Sequence, residues 1–369
     1  MKRLLPFLFL AMVAADLHAA RGIGFEADAF NRAFPVGYVG NAVFSPCSFE
    51  LDCAIIAESL DTIPRAAVSE TMGVLTGLQS TYRPIIDFYA CTTNGYSVIS
   101  ARGFCIPDFK DSRPDFRRQL QREYAVEVMP LRPKAGAESW FRVAMDGRME
   151  EFELPAESIS GLRQSFFDLV SVRLRFADPF PASGVVRRDF NGAKGSKTSL
   201  EFLTDVRVAD VWENDRCSVL SLPLAGGLTF LAMLPKPEVE LSAVREDVSS
   251  VEIVEILSSM RSVTAKGRTR DAVRVALPRL ALASRVNLFP VLRYFRVPST
   301  GLTKVAGNRP AGTYEQRMKF ELGGVEKRDE AAVATPVRSL TFDRPFVFMV
   351  YHDETQTIPV VGQYTGEEK

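Results

Sequence analysis

The chain has 369 residues with 45 basic and 45 acidic side chains, so its formal net charge is zero. This balance gives no electrostatic reason to expect a nucleic acid partner. Basic side chains cluster at Arg117, Arg118 and Arg122, and again between Lys266 and Arg274. Such clusters are more typical of solvated faces than of polyanion sites, so we do not expect polyanion binding.

Five cysteines are too few, and odd in number, for a disulfide framework. We expect Cys47 and Cys53 to be core thiols, because they lie in an apolar helical segment. A bridge between Cys91 and Cys105 is conceivable in an oxidising compartment. No spacing of ligands in the chain predicts a metal site, and nothing predicts a cofactor.

Residues 1–20 have the pattern of a secretory signal, in which a basic start precedes an apolar run, Leu4–Ala15, and small residues follow. Cleavage after Ala15 or Ala19 would leave one domain, residues 21–369. Neither the apolar run nor any later stretch is long enough to span a bilayer, so we expect a secreted protein, extracellular or periplasmic. The chain has no Asn-x-Ser/Thr glycosylation site, which favours a bacterial source.

Helical patterns dominate the first half of the chain. Ser45-Pro46 predicts a helix start, because the Ser oxygen can cap free amides and Pro fits the first turn. The apolar residues that follow, from Phe49 to Ala57, predict a helix buried on most sides. Apolar residues at helical spacing from Trp140 to Met149 predict a second helix that ends near Gly147 or a little later.

Strand patterns dominate the second half. Ser218–Leu224 and Leu228–Leu234 flank Ala225-Gly226-Gly227, which is the signal of a tight hairpin. Phe346–Tyr351 and Thr357–Val361 are predicted to be buried strands joined by a polar turn. Because helices come mainly early and strands mainly late, the chain is expected to have an α+β fold rather than repeated βαβ units.

The chain offers little to a catalytic mechanism. Outside the signal segment, residues 1–20, His352 is the only histidine, and no Gly-x-Ser-x-Gly or His-Glu-x-x-His motif accompanies it. Gly192–Thr198 resembles a phosphate loop only superficially, because Ser196 interrupts the required Gly-Lys-Ser/Thr order. We therefore expect a non-enzymatic protein and a structural role for His352.

Several segments, in order, resemble the serpin family of serine protease inhibitors. Asn41–Ser48 (Asn-Ala-Val-Phe-Ser-Pro-Cys-Ser) is similar to the start of the family's central helix, Val275–Arg279 to a barrel strand, and Phe342–Gln363 to the C-terminal strands. The resemblance implies a single-domain serpin fold, with helices packed on a central sheet and additional barrel-forming strands. It also implies a trap, in which a protease cleaves an exposed reactive loop whose hinge then inserts as a new central strand.

The resemblance assigns a hinge and a reactive loop. The hinge residues are Glu326, Lys327, Arg328, Asp329, Glu330, Ala331, Ala332, Val333 and Ala334, and the candidate scissile bond for a trypsin-like protease is Arg338–Ser339. Arg328 and Asp329 stand where the family has small residues, and insertion would bury the Asp329 carboxylate at a cost of several kcal/mol. Only fifteen residues separate Glu326 from Phe342. The family usually has about a dozen more, which is ~40 Å of reach.

The sheet-opening region is assigned to Ser45, Ser48, Ser171 and Met318. Because Ser171 and Met318 stand where the family has a buried asparagine and commonly a histidine, the polar lock across the opening is predicted to be lost. We therefore expect a monomer that inhibits serine proteases poorly or not at all. Two alternatives remain open: a working inhibitor of a trypsin-like protease cleaved after Arg338, and a non-inhibitory binding or scaffold protein.

Overall fold

The computed structural model describes residues 23–72, 78–93, 96–160, 163–248, 251–261, 267–327 and 335–366. The predicted signal segment and the hinge residues from Arg328 to Ala334 lie outside these ranges. The helices are α1 (23–33), α2 (Pro46–Ser59), α3 (Thr62–Thr71), α4 (Leu78–Phe88), α5 (Pro114–Tyr124), α6 (Lys134–Ala144), α7 (Ala156–Ser160), α8 (Leu241–Val248), α9 (Val251–Arg261) and α10 (Phe289–Tyr294). The strands are β1 (Ala42–Phe44), β2 (Tyr96–Ile106), β3 (Val126–Pro130), β4 (Gln164–Pro181), β5 (Val185–Asn191), β6 (Lys197–Glu213), β7 (Cys217–Pro223), β8 (Leu228–Pro235), β9 (Arg268–Pro278), β10 (Leu280–Asn287), β11 (Ala311–Glu326), β12 (Arg338–Thr341), β13 (Phe346–His352) and β14 (Thr357–Tyr364).

One sheet has five described strands in the order β10-β11-β4-β2-β3. Its central pair, β4 and β11, is parallel, and the pairing runs from Gln164 opposite Ala311 to Pro181 opposite Glu326. A helix covers each face, since α2 lies against one side and α6 against the other. The α+β architecture with a central sheet is confirmed.

The second sheet joins nine described strands in the order β1-β14-β13-β8-β7-β6-β9-β12, with β5 attached to β6. Strand β6 holds this sheet together, because its first residues pair with β5, its last residues with β7, and Phe202–Trp212 with β9. The end strands β1 and β12 have three and four residues and do not pair with each other within the described chain. The additional strands predicted from the sequence are therefore present in this second sheet, which does not close into a barrel within the described residues.

Helix α2 begins at Pro46 as predicted, and all of its residues are buried. The side chain of Ser45 does not cap it. The Ser45 hydroxyl instead donates to the carbonyl of Pro359 at 2.7 Å and lies 2.5 Å from the Tyr89 hydroxyl. A serine hydroxyl has a single hydrogen to donate, so Tyr89 is the donor in the second contact.

The other local predictions have mixed outcomes. Helix α6 ends at Ala144, three residues before the predicted Gly147. Strands β7 and β8 form the predicted hairpin, in which Gly226 and Gly227 have φ values of 79° and 74° that favour glycine. Cys47 and Cys53 are buried as expected, but all five cysteines are free, so the structure contains no Cys91–Cys105 bridge. The Cys91 thiol instead accepts a hydrogen bond from the Tyr96 hydroxyl at 3.2 Å.

Candidate functional site

A buried polar cluster lies where α2 meets the β4–β11 pair. Its members are Ser45 and Ser48 at the start of α2, Asp52 in the same helix, Arg102 in β2, Asp168 in β4 and Gln316 in β11. Asp168 and Gln316 stand directly opposite each other, and the Gln316 amide donates to Asp168 Oδ2 at 2.9 Å. This is a direct polar link across the two strands that a serpin-like insertion must separate.

Helix α2 contacts both strands of this link. Gln316 accepts from the Ser45 backbone amide at 2.9 Å and donates to the Ser45 carbonyl at 3.1 Å. Ser48 donates its hydroxyl to Asp168 Oδ2 at 2.6 Å. The N-terminal turn of α2 therefore binds β11 through Ser45 and β4 through Ser48.

Arg102 supplies the positive charge in the cluster. Its Nε lies 3.1 Å from Asp52 Oδ1 and 3.3 Å from Asp168 Oδ1, and all three side chains are almost completely buried. Burial and the neighbouring charge of Asp168 raise the pKa of Asp52 well above its ordinary value. One guanidinium thus serves two carboxyl groups, and burial favours the protonated form of Asp52.

The sequence-based assignment of the polar lock is wrong at two positions. Ser171 is opposite Lys319, whereas Met318 is opposite Val170. Side chains alternate between the two faces of a strand, so Ser171 and Met318 lie on opposite faces of the sheet and cannot be partners. Ser45 and Ser48 do belong to the site, but the residues that bridge the strands are Asp168 and Gln316, which the sequence analysis missed.

A signal for these residues is present in the sequence. Asp168 interrupts the apolar run Phe166–Val172, and a lone carboxylate in a strand buried on both faces requires polar partners. Gln316 occupies a comparable position in β11, between the buried Tyr314 and Met318. Searching both strands for isolated polar residues would have found the pair.

The candidate scissile bond lies within a strand. Arg338 and Ser339 begin β12, which pairs in parallel with Val273–Ala276 of β9. Backbone hydrogen bonds from Val337 to Ala272 (2.8 Å) and from Phe342 to Ala276 (2.9 Å) extend this pairing at both ends. Leu340 and Phe342, which follow the bond, are buried.

The Arg338 side chain forms ion pairs with two carboxylates. Its guanidinium donates to Glu213 Oε2 at 3.1 Å and to Asp271 Oδ2 at 3.4 Å, and the side chain is 26% exposed. A hydrogen bond from Ser218, together with Lys236 and Arg338, lowers the pKa of Glu213, which keeps this carboxylate ionised. The arrangement does not fit an exposed loop with a free arginine as bait.

Among the hinge residues, the structure describes Glu326 and Lys327. Glu326 is the last residue of β11 and already pairs with Pro181 of β4. Residues 327–337 therefore connect β11 to β12.

His352 has the surroundings of a structural residue. Its Nδ1 lies 2.8 Å from the Thr355 hydroxyl, and its ring packs against Phe88 with 5.1 Å between centroids. Burial lowers its pKa.

The part of the chain that the structure describes contains no group of acidic, cysteine or histidine side chains arranged to hold a metal ion. Within that same part, no helix has the length and apolarity needed to cross a membrane.

Comparison with known proteins identifies the family. The family model for serpins (serine protease inhibitors) matches residues 30–366, so this chain belongs to the serpin family. An uncharacterized serpin-like protein of Thermococcus kodakarensis is 26% identical over 249 residues, which is 61% of this chain and 54% of that protein. Heparin cofactor 2 of Rattus norvegicus is 26% identical over 170 residues, 42% and 33% of the two chains. The chain thus matches about half the length of the first relative and a third of the second.

Solved structures agree on the fold. Uncleaved ovalbumin has a TM-score of 0.81 at 15% identity, covering 95% of this chain and 99% of ovalbumin. Native protease nexin-1 with heparin has a TM-score of 0.81 at 17% identity, covering 95% and 100%. Such low identities establish the fold alone. The family consists mostly of protease inhibitors rather than enzymes, and it includes non-inhibitory members.

Proposed function

We propose that this chain is a non-inhibitory or weakly inhibitory serpin-family protein, related to inhibitors that act through a cleavable reactive loop. The observation that carries the proposal is the position of Arg338–Ser339 in β12, paired with β9 and ion-paired to Glu213 and Asp271. A protease must bind its substrate as an accessible extended segment, so β12 would first have to separate from β9. Such local unfolding lowers the population that can be cleaved.

Chain length supports the same proposal. Eleven residues, 327–337, connect β11 to β12, whereas β11 itself has sixteen. At ~3.3 Å per residue the connection reaches ~36 Å, while a strand inserted along all of β11 would have to cover ~53 Å. The turn back from Glu326 would use part of that reach. Cleavage after Arg338 adds one residue, which does not close the difference.

The experiment that tests this proposal is incubation with trypsin, followed by denaturing electrophoresis and measurement of the melting temperature. We expect slow cleavage, no detergent-resistant complex, and a melting temperature that barely changes after the chain is cut. Mass spectrometry of the fragments would show whether the cut follows Arg338. An Arg338→Gln variant serves as the control for cuts at other basic residues.

If the chain is instead a working inhibitor of a trypsin-like protease, the same experiment should give the opposite result. A detergent-resistant complex with trypsin that disappears in Arg338→Gln would overturn the proposal and establish inhibition through this bond. A sharp rise in melting temperature after cleavage would also overturn it, because an inserted strand stabilises the sheet. A covalent complex in both proteins would show that a different bond serves as bait.

We further propose that the protein is exported, an inference that rests on the sequence of residues 1–20. Mass spectrometry of the protein recovered from the extracellular or periplasmic fraction should give an N-terminus at Asp16 or Ala20, the residues that follow the two candidate cleavage points. Retention of the full-length chain inside the producing cell would contradict export.

A further inference from the structure

A large cavity lies over the end of the five-stranded sheet at which β11 leads into residue 327. Its volume is about 650 Å³, within the range of small-molecule sites. Ser97 of β2, Arg173 of β4, Glu321 of β11 and Ala281 of β10 are register neighbours and form a row across its floor. The cavity therefore spans both sides of the β4–β11 pair.

The charge of the cavity lining is strongly positive. Four arginines line it, Arg148, Arg173, Arg175 and Arg279, against the single carboxylate of Glu321. Glu321 pairs with Arg173 at 3.1 Å, and Arg279 contacts Glu201 outside the lining at 3.1 Å. The Arg175 side chain has no hydrogen-bond or ion-pair partner among the described residues.

Arg148 gives an independent indication of a missing anion. It lies after α6, and its Nη2 donates to Ser97 Oγ at 2.7 Å. Its Nη1 is buried and has no hydrogen-bond partner in the described structure. Burial, followed by the charge of Arg173, lowers the pKa of Arg148. The charges of Asp146 and Glu321 act in the opposite direction, but neither carboxylate forms an ion pair with Arg148. The unpaired buried donor therefore favours binding of an acceptor with negative charge.

The floor of the cavity is open beside Arg175. Its register partner is Gly323, and a Cβ atom built there would find no other atom within 4 Å. A larger side chain at residue 323 would fill this space. The absence of one leaves room for a ligand between the guanidinium groups.

We propose that this cavity binds a small organic anion that carries phosphate or sulfate groups. Guanidinium groups pair with such tetrahedral oxyanions through two parallel hydrogen bonds, which suits four arginines around one space. Because the arginines come from β4, from the residue between β9 and β10 and from the segment after α6, a bound anion would join elements on both sides of the β4–β11 pair. Binding should therefore stabilise the closed five-stranded sheet. The proposal does not depend on whether the chain inhibits a protease.

Calorimetric titration with inositol hexakisphosphate and inositol hexasulfate tests the proposal, with neutral inositol as the uncharged control and ionic strength held constant. We expect saturable 1:1 binding of at least one anion, and the stronger of the two identifies phosphate or sulfate as the preferred group. The double variant Arg175→Gln/Arg279→Gln should weaken binding by at least about tenfold, because both lost hydrogen bonds are charge-assisted. Both arginines are exposed, so folding should be retained, and far-UV circular dichroism would verify it.

The matched control is Arg118→Gln/Arg122→Gln, which removes two exposed arginines from α5. It should change the affinity less than about twofold, since it alters the net charge equally but not the cavity. Absence of saturable binding by either anion would overturn the proposal. Equal weakening in the two double variants would also overturn it, because attraction would then be nonspecific. Binding of long heparin chains without binding of either inositol derivative would assign the arginines to a polymer surface instead.

Discussion

Replacing Arg102 with methionine tests the polar cluster most directly. The substitution keeps an unbranched side chain but removes the cation that pairs with Asp52 and Asp168. The side chains of these two residues are 1% and 0% exposed. Breaking a buried ion pair by removing one partner costs about 3–5 kcal/mol. We therefore expect the free energy of unfolding in urea at pH 8 to fall by about that amount. The matched control, Arg83→Met, removes an exposed ion pair with Asp87 and should cost less than about 1 kcal/mol.

The deficit of Arg102→Met should depend on pH. Burial raises the folded pKa of Asp52, and Arg102 opposes that shift. Without the guanidinium, the folded variant should therefore hold a proton on this carboxyl group at a pH where the unfolded chain does not. Its stability is then greatest at low pH and falls as pH rises. The loss relative to wild type should accordingly shrink from pH 8 to pH 5, and adding Asp168→Asn should recover part of it. A loss below about 1 kcal/mol, or one independent of pH, would refute the ion pairing described above.

Three further predictions concern a buried acid, the β12 strand and the connection before it. Burial raises the pKa of Glu50 from 4.5 to about 7. The stability that protonated Glu50 contributes is therefore fully present below its unfolded pKa and is lost as pH rises through 7. The free energy of unfolding in urea of Glu50→Gln, relative to wild type, should therefore increase from pH 5 to pH 8. The same difference for the exposed Glu70→Gln should not increase. Parallel pH profiles of Glu50→Gln and wild type would count against a raised pKa. Glu213→Gln/Asp271→Asn should speed tryptic cleavage after Arg338 by about fivefold, as expected for the loss of partly exposed ion pairs. An unchanged rate would mean that the backbone hydrogen bonds between β12 and β9 alone protect the bond. Arg328→Gly/Asp329→Thr should not yield a detergent-resistant complex with trypsin, whereas the same variant with about a dozen small residues inserted after Val337 should; a complex from the hinge change alone would show that reach is not limiting.

Local patterns predicted much of the fold correctly. Ser45-Pro46 and the apolar run after it are sufficient to place α2, because capping and hydrophobic burial act within one helix. The Gly226-Gly227 turn with apolar flanks likewise defines the β7–β8 hairpin. In each case the residues that determine the element are neighbours in sequence.

Features that depend on register were harder to predict. An error of two or three residues in aligning β4 and β11 replaced Asp168 and Gln316 with Ser171 and Met318, and an odd shift along a strand moves a side chain to the other face. The environment of Arg338 depends on Glu213, which is 125 residues away in the chain. No local pattern in Arg338–Thr341 indicates that partner, so the segment was predicted to be exposed bait.

The capacity of the five-stranded sheet to open depends on how its polar contacts divide between the two strands. If β4 and β11 separated, the hydrogen bond from Gln316 to Asp168 would break, but Gln316 could keep its two contacts with the Ser45 backbone. Asp168 could likewise keep Ser48 and Arg102. Each strand is thus satisfied separately, and the direct link between these side chains is worth about 1.5–3 kcal/mol as a charge-assisted bond. A contact of that size is small beside the pairing that an inserted strand would gain along β4 and β11. The short connection of residues 327–337, rather than the polar cluster, is therefore the larger obstacle to insertion.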